Sequence, residues 1–154
     1  MTDADAFDTT ERRAPQRRVA LALLSARDEV LLVRQTQQTC YSLPMMTVTA
    51  DAENNALSQA VAALQTLQLA DSLQAVDSAW LGRFAAPDNH GRLDMLEVYV
   101  ARLGEARLNA DIDFERAWAP LLSLPPENMI DPAIELQVMP ALASLVDPDA
   151  SHRR

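Results

Sequence analysis

The sequence predicts a single α/β domain, an α/β/α sandwich in which helices cover a mixed β-sheet on two sides, and three observations carry that expectation. Val19 to Leu24 is a nearly continuous apolar run, the pattern of a strand buried on both faces. Leu57, Ala60, Val61, Leu64 and Leu67 recur at helical spacing and give one apolar stripe. Leu96, Val98 and Val100, interleaved with Glu97 and Tyr99, alternate with the period of a strand.

The elements follow in order. Val30 to Val33 forms a second strand after the turn-type residues Ser25-Ala26-Arg27-Asp28-Glu29, and the two runs read as a strand pair. Tyr41-Ser42-Leu43-Pro44 closes an extended segment, and Val48 sits in a short strand or loop. A helix is expected from Glu53 to Leu69, with Asp51 as its N-cap and Glu53 in the first turn, where an acid complements the helix dipole. Ala79 to Phe84 and Leu93 to Leu103 form a hairpin around Asp88-Asn89-His90-Gly91. Ala117 to Leu122 gives a short strand that ends before Leu124-Pro125-Pro126. Pro132 to Val146 presents Ile134, Val138, Ala141, Leu142 and Leu145 on one helical face, with a kink expected at Pro140. Residues 1–16 and 147–154 read as a disordered arm and tail around a domain spanning 17–146, because they carry too little apolar surface to offset ordering entropy.

Composition narrows the function. A formal net charge of −9 argues against nucleic acid and anionic membranes as partners. All 13 basic residues are arginine, which removes every mechanism built on a lysine. Cys40 is the one cysteine, so neither an internal disulfide nor a cysteine-rich zinc site is available, and a reducing cytoplasm is the expected compartment. Met1 to Pro15 has no apolar segment of the secretory kind, and no apolar run reaches membrane-spanning length. His90, in a polar loop, and His152, in the tail, lack convergent ligand partners.

Several patterns together resemble the Nudix family. Val30-Leu31-Leu32-Val33-Arg34 followed by Tyr41-Ser42-Leu43-Pro44 looks like the family's entry into its signature box. Trp80-Leu81-Gly82-Arg83-Phe84 with Leu96-Glu97-Val98-Tyr99-Val100-Ala101 is similar to the strand pair after it, and Trp118-Ala119-Pro120-Leu121 leading to Leu124-Pro125 to the segment before its last helix. The resemblance implies a Nudix-like fold, contacts from Arg34 and Tyr41 to phosphate and base, and a homodimer.

The family's box, G-x5-E-x7-R-E-U-x-E-E-x-G-U with U a bulky apolar residue, puts carboxylates on one helical face to hold divalent cations. This chain departs from it. Met45 and Met46 stand at the two glycines, the Arg-Glu pair falls near Ala62-Ala63, and the Glu-Glu pair near Gln65 to Leu67. From Asn54 through Ala70 there is no charged residue, so no register restores the carboxylates.

Two readings of function follow. In one, the chain is a pseudoenzyme with a degenerate Nudix box, a non-catalytic or weakly active module that binds a small-molecule ligand or a protein partner and needs no cofactor. In the other, it is a metal-dependent hydrolase of a nucleoside diphosphate linked to another moiety, with Mg²⁺ or Mn²⁺ held by the catalytic candidates Asp51, Glu53, Glu97 and Glu105. The substrate-binding candidates are Arg34, Tyr41, Glu97 and Tyr99, of which Glu97 is either cleft-lining or solvent-facing.

Overall fold

The computed structural model describes residues 16–49, 51–70, 76–87, 92–121 and 129–146. Six strands form one mixed sheet: β1 (Arg17–Leu24), β2 (Glu29–Arg34), β3 (Met45–Val48), β4 (Ser78–Pro87), β5 (Leu93–Arg102) and β6 (Glu115–Pro120). The order is β4-β5-β1-β2-β6, with β3 on β1. The expected arm and tail lie outside the described residues except for Gln16, whose carbonyl accepts from Met95 N–H at 2.9 Å.

β1 is the axis of the molecule. Val19 to Leu24 are each exposed by 1% or less, as the unbroken apolar run requires. β5 pairs with β1 in parallel along its whole length, Arg17↔Met95 to Leu24↔Arg102. On the opposite edge β3 takes the first half, Arg17↔Val48 to Ala20↔Met45, and β2 meets the end, Leu24↔Val30. The expected pair of β1 and β2 therefore touches at one registered position, and the main partner of β2 is β6, Glu29↔Pro120 to Arg34↔Glu115. In the intervening turn Ser25 Oγ accepts from Arg27 and Glu29 N–H, both at 3.2 Å, and Asp28 adopts φ 58°, a conformation aspartate tolerates better than most residues.

Alternation along β1 divides the core. Val19, Leu21 and Leu23 face a cluster with Leu57, Ala60, Val61 and Leu64 of helix α1 (Asn54–Gln68). Ala20, Ala22 and Leu24 face the C-terminal helix, where Ile134, Val138, Met139 and Leu142 close the other side. Among the described residues no helix is long and apolar enough to cross a membrane.

Two helices depart from expectation. α1 starts at Asn54 with Glu53, not Asp51, as N-cap, and Glu53 makes no side-chain capping bond. Ala52 N–H donates to Thr49 O at 3.0 Å and Ala52 O accepts from Arg17 Nη1 at 2.6 Å, so this residue is held in a turn and the helix begins beyond it. At the other end, a π-helical turn at Ile134–Val138 precedes α2 (Met139–Val146), with Met139 N–H donating to Ile134 O. A kink or break was expected at Pro140, which has no N–H to give the preceding turn; the helical run is not broken there, and the widened turn lies just before it. The predicted stripe holds at Ile134, Val138 and Leu142, which are buried, and is corrected at its end, where Leu145 is 52% exposed.

Candidate functional site

Strand alternation places Glu97 and Tyr99 on the α1 face of β5. Glu97 is 1% exposed, so it is neither solvent-facing nor an open cleft residue. Its Oε1 accepts from Arg17 Nη2 and Arg83 Nε, both at 2.8 Å, and its Oε2 accepts from Trp80 Nε1 at 3.0 Å. Burial alone would raise this carboxyl's pKa, but the bonds from Trp80, Arg17 and Arg83 outweigh it and hold the pKa below the ordinary glutamate value. Tyr99 is half-buried beside it, and its phenol is pushed up by burial and then by the Glu97 charge.

Arg34 and Tyr41 meet elsewhere, at the outer end of β2. The Arg34 guanidinium lies 4.9 Å from the Tyr41 ring centroid. Both bind Glu115, the registered partner of Arg34 on β6: Arg34 through a close ion pair and Tyr41 through its hydroxyl, which donates at 3.1 Å. Arg34 and then Tyr41, by their hydrogen bonds, lower the Glu115 pKa; the Tyr41 pKa rises through burial and then Glu115. The four substrate-binding candidates thus fall into two separate groups.

The catalytic candidates do not assemble either. Asp51 and Glu53 are exposed beside the start of α1, and Glu105 is exposed in the turn after Gly104, past the end of β5. From Glu97 to Arg102 alone the strand runs about 16 Å. Among the described residues no three His, Cys, Asp or Glu side chains are grouped to hold a metal ion. His90 and His152 lie outside the described residues.

A cavity of about 650 Å³ opens where β3 and β2 diverge from their shared edge of β1. Pro44, whose carbonyl accepts from Leu21 N–H at 2.9 Å, stands at that fork. The segment from Gln35 to Met45, the C-terminal half of α1 and the helix start at Asp131 supply the walls. Cys40 lines it half-buried.

Three buried side-chain atoms in these walls have no hydrogen-bond partner: Arg18 Nε, Ser42 Oγ and Gln68 Oε1. Gln68 is 1% exposed. Asp94 Oδ2 stands 3.6 Å from Arg18 Nε, an ion pair too long for a hydrogen bond. None of the sequence candidates Arg34, Tyr41, Glu97 or Tyr99 lines this cavity.

No protein-family model and no curated protein matches the chain. Solved structures do match. The Nudix domain of NrtR from Shewanella oneidensis, complexed with ADP ribose, superposes with a TM-score of 0.59 at 18% identity, covering 91% of this chain and 97% of that one. A MutT protein from Methanosarcina mazei Go1 gives 0.62 at 12% identity, covering 93% and 99%. The chain adopts the Nudix fold. A bifunctional NMN adenylyltransferase/ADP ribose pyrophosphatase from Francisella tularensis, complexed with AMP and manganese ion, gives 0.58 at 14% identity, covering 88% of this chain and 44% of that one.

The residues of α1 that the sequence resemblance set against the box divide between the two faces of the helix. Ala62, Ala63, Thr66 and Leu67 are exposed, whereas Gln65 and Gln68 are buried. The predicted apolar stripe is corrected at its end, because Leu67 is 47% exposed and the glutamines take the inner face. Gln65 can be buried since its Nε2 donates to Val76 O at 2.9 Å. Sequence reasoning gave no site role to Glu115, Ser42 or Gln68, and saw Arg18 only within an arginine cluster read as a solvated flank. Glu115 could have been noticed as a charged residue leading the Ala117 strand.

Proposed function

We propose that the chain is a Nudix-fold module that binds a small-molecule ligand in the cavity at the β2–β3 fork and does not carry out metal-dependent pyrophosphate hydrolysis. The observation that carries this reading is the uncharged outer face of α1, where Ala62, Ala63, Thr66 and Leu67 offer no metal ligand. Divalent cations at diphosphate centres need several carboxylate oxygens converging with substrate oxygens, and that metal contribution is worth several kcal/mol. The donor set present does not fit such an ion. Glu97 already accepts from three side-chain donors, and releasing an oxygen would leave guanidinium groups uncompensated. The hydrolase alternative needs Asp51, Glu53, Glu97 and Glu105 to converge, and it conflicts with the occupied carboxylate and the separation along β5.

Calorimetric titration with Mg²⁺ and Mn²⁺, run alongside phosphate release from nucleotide-sugar and dinucleotide substrates, tests this reading. The expected result is no saturable metal binding below millimolar concentration and no metal-dependent turnover. Metal-dependent turnover abolished by Glu53→Gln overturns it.

A further inference from the structure

β4 ends the sheet, and the hydrogen bonds of its neighbour fix which of its backbone groups face outward. Met95 N–H donates to Gln16 O and Leu103 N–H to Leu24 O, so the odd-numbered residues of β5 turn their amides and carbonyls toward β1. In an antiparallel pair the residues opposite them turn theirs away. Those are Ser78, Trp80, Arg83, Ala85 and Pro87, the register partners of Ala101, Tyr99, Glu97, Met95 and Leu93. The Ala85 carbonyl bears out the direction, because it accepts from Gln137 Nε2 at 2.8 Å.

Gln137 and Pro87, which has no N–H, close one end of this edge. From Ser78 to Arg83 no strand pairs with it among the described residues. Trp80 and Arg83 lie three residues apart, which in a regular strand would set them on opposite faces. The bulge between Trp80 and Gly82 returns both to the α1 face, where both bond Glu97. Trp80 is nevertheless 58% exposed and the Arg83 side chain 53%. Tryptophan and arginine are the side chains that most often dominate protein contacts, and these two are held in place by their bonds to Glu97, so contact costs them little freedom.

Charge selects the occupant. Arg83 is the one charged residue of β4, and Arg17 and Arg83 set against Glu97 leave a local excess of positive charge. A second copy docking by the same edge would bring two such excesses together. A single-stranded nucleic acid would stack on Trp80, but it leaves the amides and carbonyls of the strand unpaired and meets a net charge of −9. We infer that the edge of β4 from Ser78 to Arg83 receives an extended segment of a partner protein that adds a strand to the sheet. That segment carries a carboxylate opposite Arg83 and sets an apolar side chain on Trp80. This role stands apart from ligand binding in the cavity.

Capped heptapeptides that alternate valine and threonine around a central glutamate or lysine test the inference. They are titrated into the ¹⁵N-labelled full chain carrying Trp118→Phe. The glutamate peptide is expected to shift the Trp80 and Arg83 backbone amide resonances and the Trp80 emission saturably, with the lysine peptide weaker by about tenfold or more. Ser78→Pro removes one outward N–H at the first residue of the strand and leaves Trp80 and Arg83 in place. It is expected to weaken binding about threefold or more while circular dichroism shows a folded chain. Resonances unmoved by the glutamate peptide, equal binding of the lysine peptide, or unchanged affinity in a folded Ser78→Pro chain overturns the inference. Trp80 shielded from acrylamide in the free chain overturns it too: shielding lost on dilution assigns the edge to a second copy, and shielding that persists assigns it to the chain itself. A short oligothymidylate that moves the same resonances at lower concentration than the glutamate peptide also overturns it.

Discussion

Arg17 Nη2 donates to Glu97 Oε1 at 2.8 Å while Arg17 Nη1 donates to the Ala52 carbonyl, so one guanidinium ties β1, β5 and the approach to α1 together. Glu97→Gln keeps the shape and removes the charge. It is expected to cost about 2 kcal/mol, less than a fully buried pair because the Arg17 and Arg83 side chains reach water. At about 2–4 °C per kcal/mol for this size, thermal unfolding reads the loss directly. The folded-state pKa of Glu97 lies below its unfolded value, so the stability it contributes is present above the unfolded value and disappears as pH falls through the folded pKa. The Tm gap between the two proteins should therefore be widest near neutrality and close in acid; a gap independent of pH would contradict the arrangement.

Trp80 reports on the same carboxylate. Its indole N–H donates to Glu97 Oε2 although the residue is 58% exposed. In a Trp118→Phe background, the Trp80 emission is expected to titrate with a midpoint below the ordinary glutamate pKa, and Glu97→Gln should abolish that titration. A fluorescence profile identical in the two proteins would separate the indole from the carboxylate.

The burial of α2 predicts a contrast between two leucines three residues apart. Leu142 is fully buried and Leu145 half-exposed. Leu142→Ala should cost about 2–5 kcal/mol and Leu145→Ala less than about 0.5 kcal/mol, as measured by urea unfolding. Similar losses at both sites would contradict the packing of α2 through Leu142 alone.

The uncharged face of α1 can be given carboxylates. Ala63, Thr66 and Leu67 sit at i, i+3 and i+4 and are all exposed, so replacing the three with glutamate should create a cation site on that face. Calorimetry with Mn²⁺ is expected to give saturable binding for the triple variant only. Equal binding by the parent chain would place the ion elsewhere.

Much of the fold was legible because burial writes itself into apolar spacing. The Val19–Leu24 run and the Leu57–Leu64 stripe specify their elements without outside help. The site was less legible because it depends on long-range pairing. Arg34 and Tyr41 were visible as a local motif, but Glu115 joins them only once β6 registers against β2. Glu97 reads as an ordinary alternating strand acid until Arg17 and Arg83 close over it from two other strands. Gln68 was hidden for a different reason: a glutamine near the end of a helix stripe carries no periodic signal of being inside, and only three-dimensional packing puts it there.

Of the described strands β1 is made before the others, and it becomes the middle of the sheet. Its parallel partner arrives much later, since the contact between Gln16 and Asp94 spans 78 residues. Until β5 has been made, β1 holds an apolar strand with one edge unpaired, and the loop that must close is among the costliest in the chain. Synthesis order and assembly order are therefore opposed for this pair of strands, and the nascent chain carries an apolar, aggregation-prone strand with an open edge until β5 arrives.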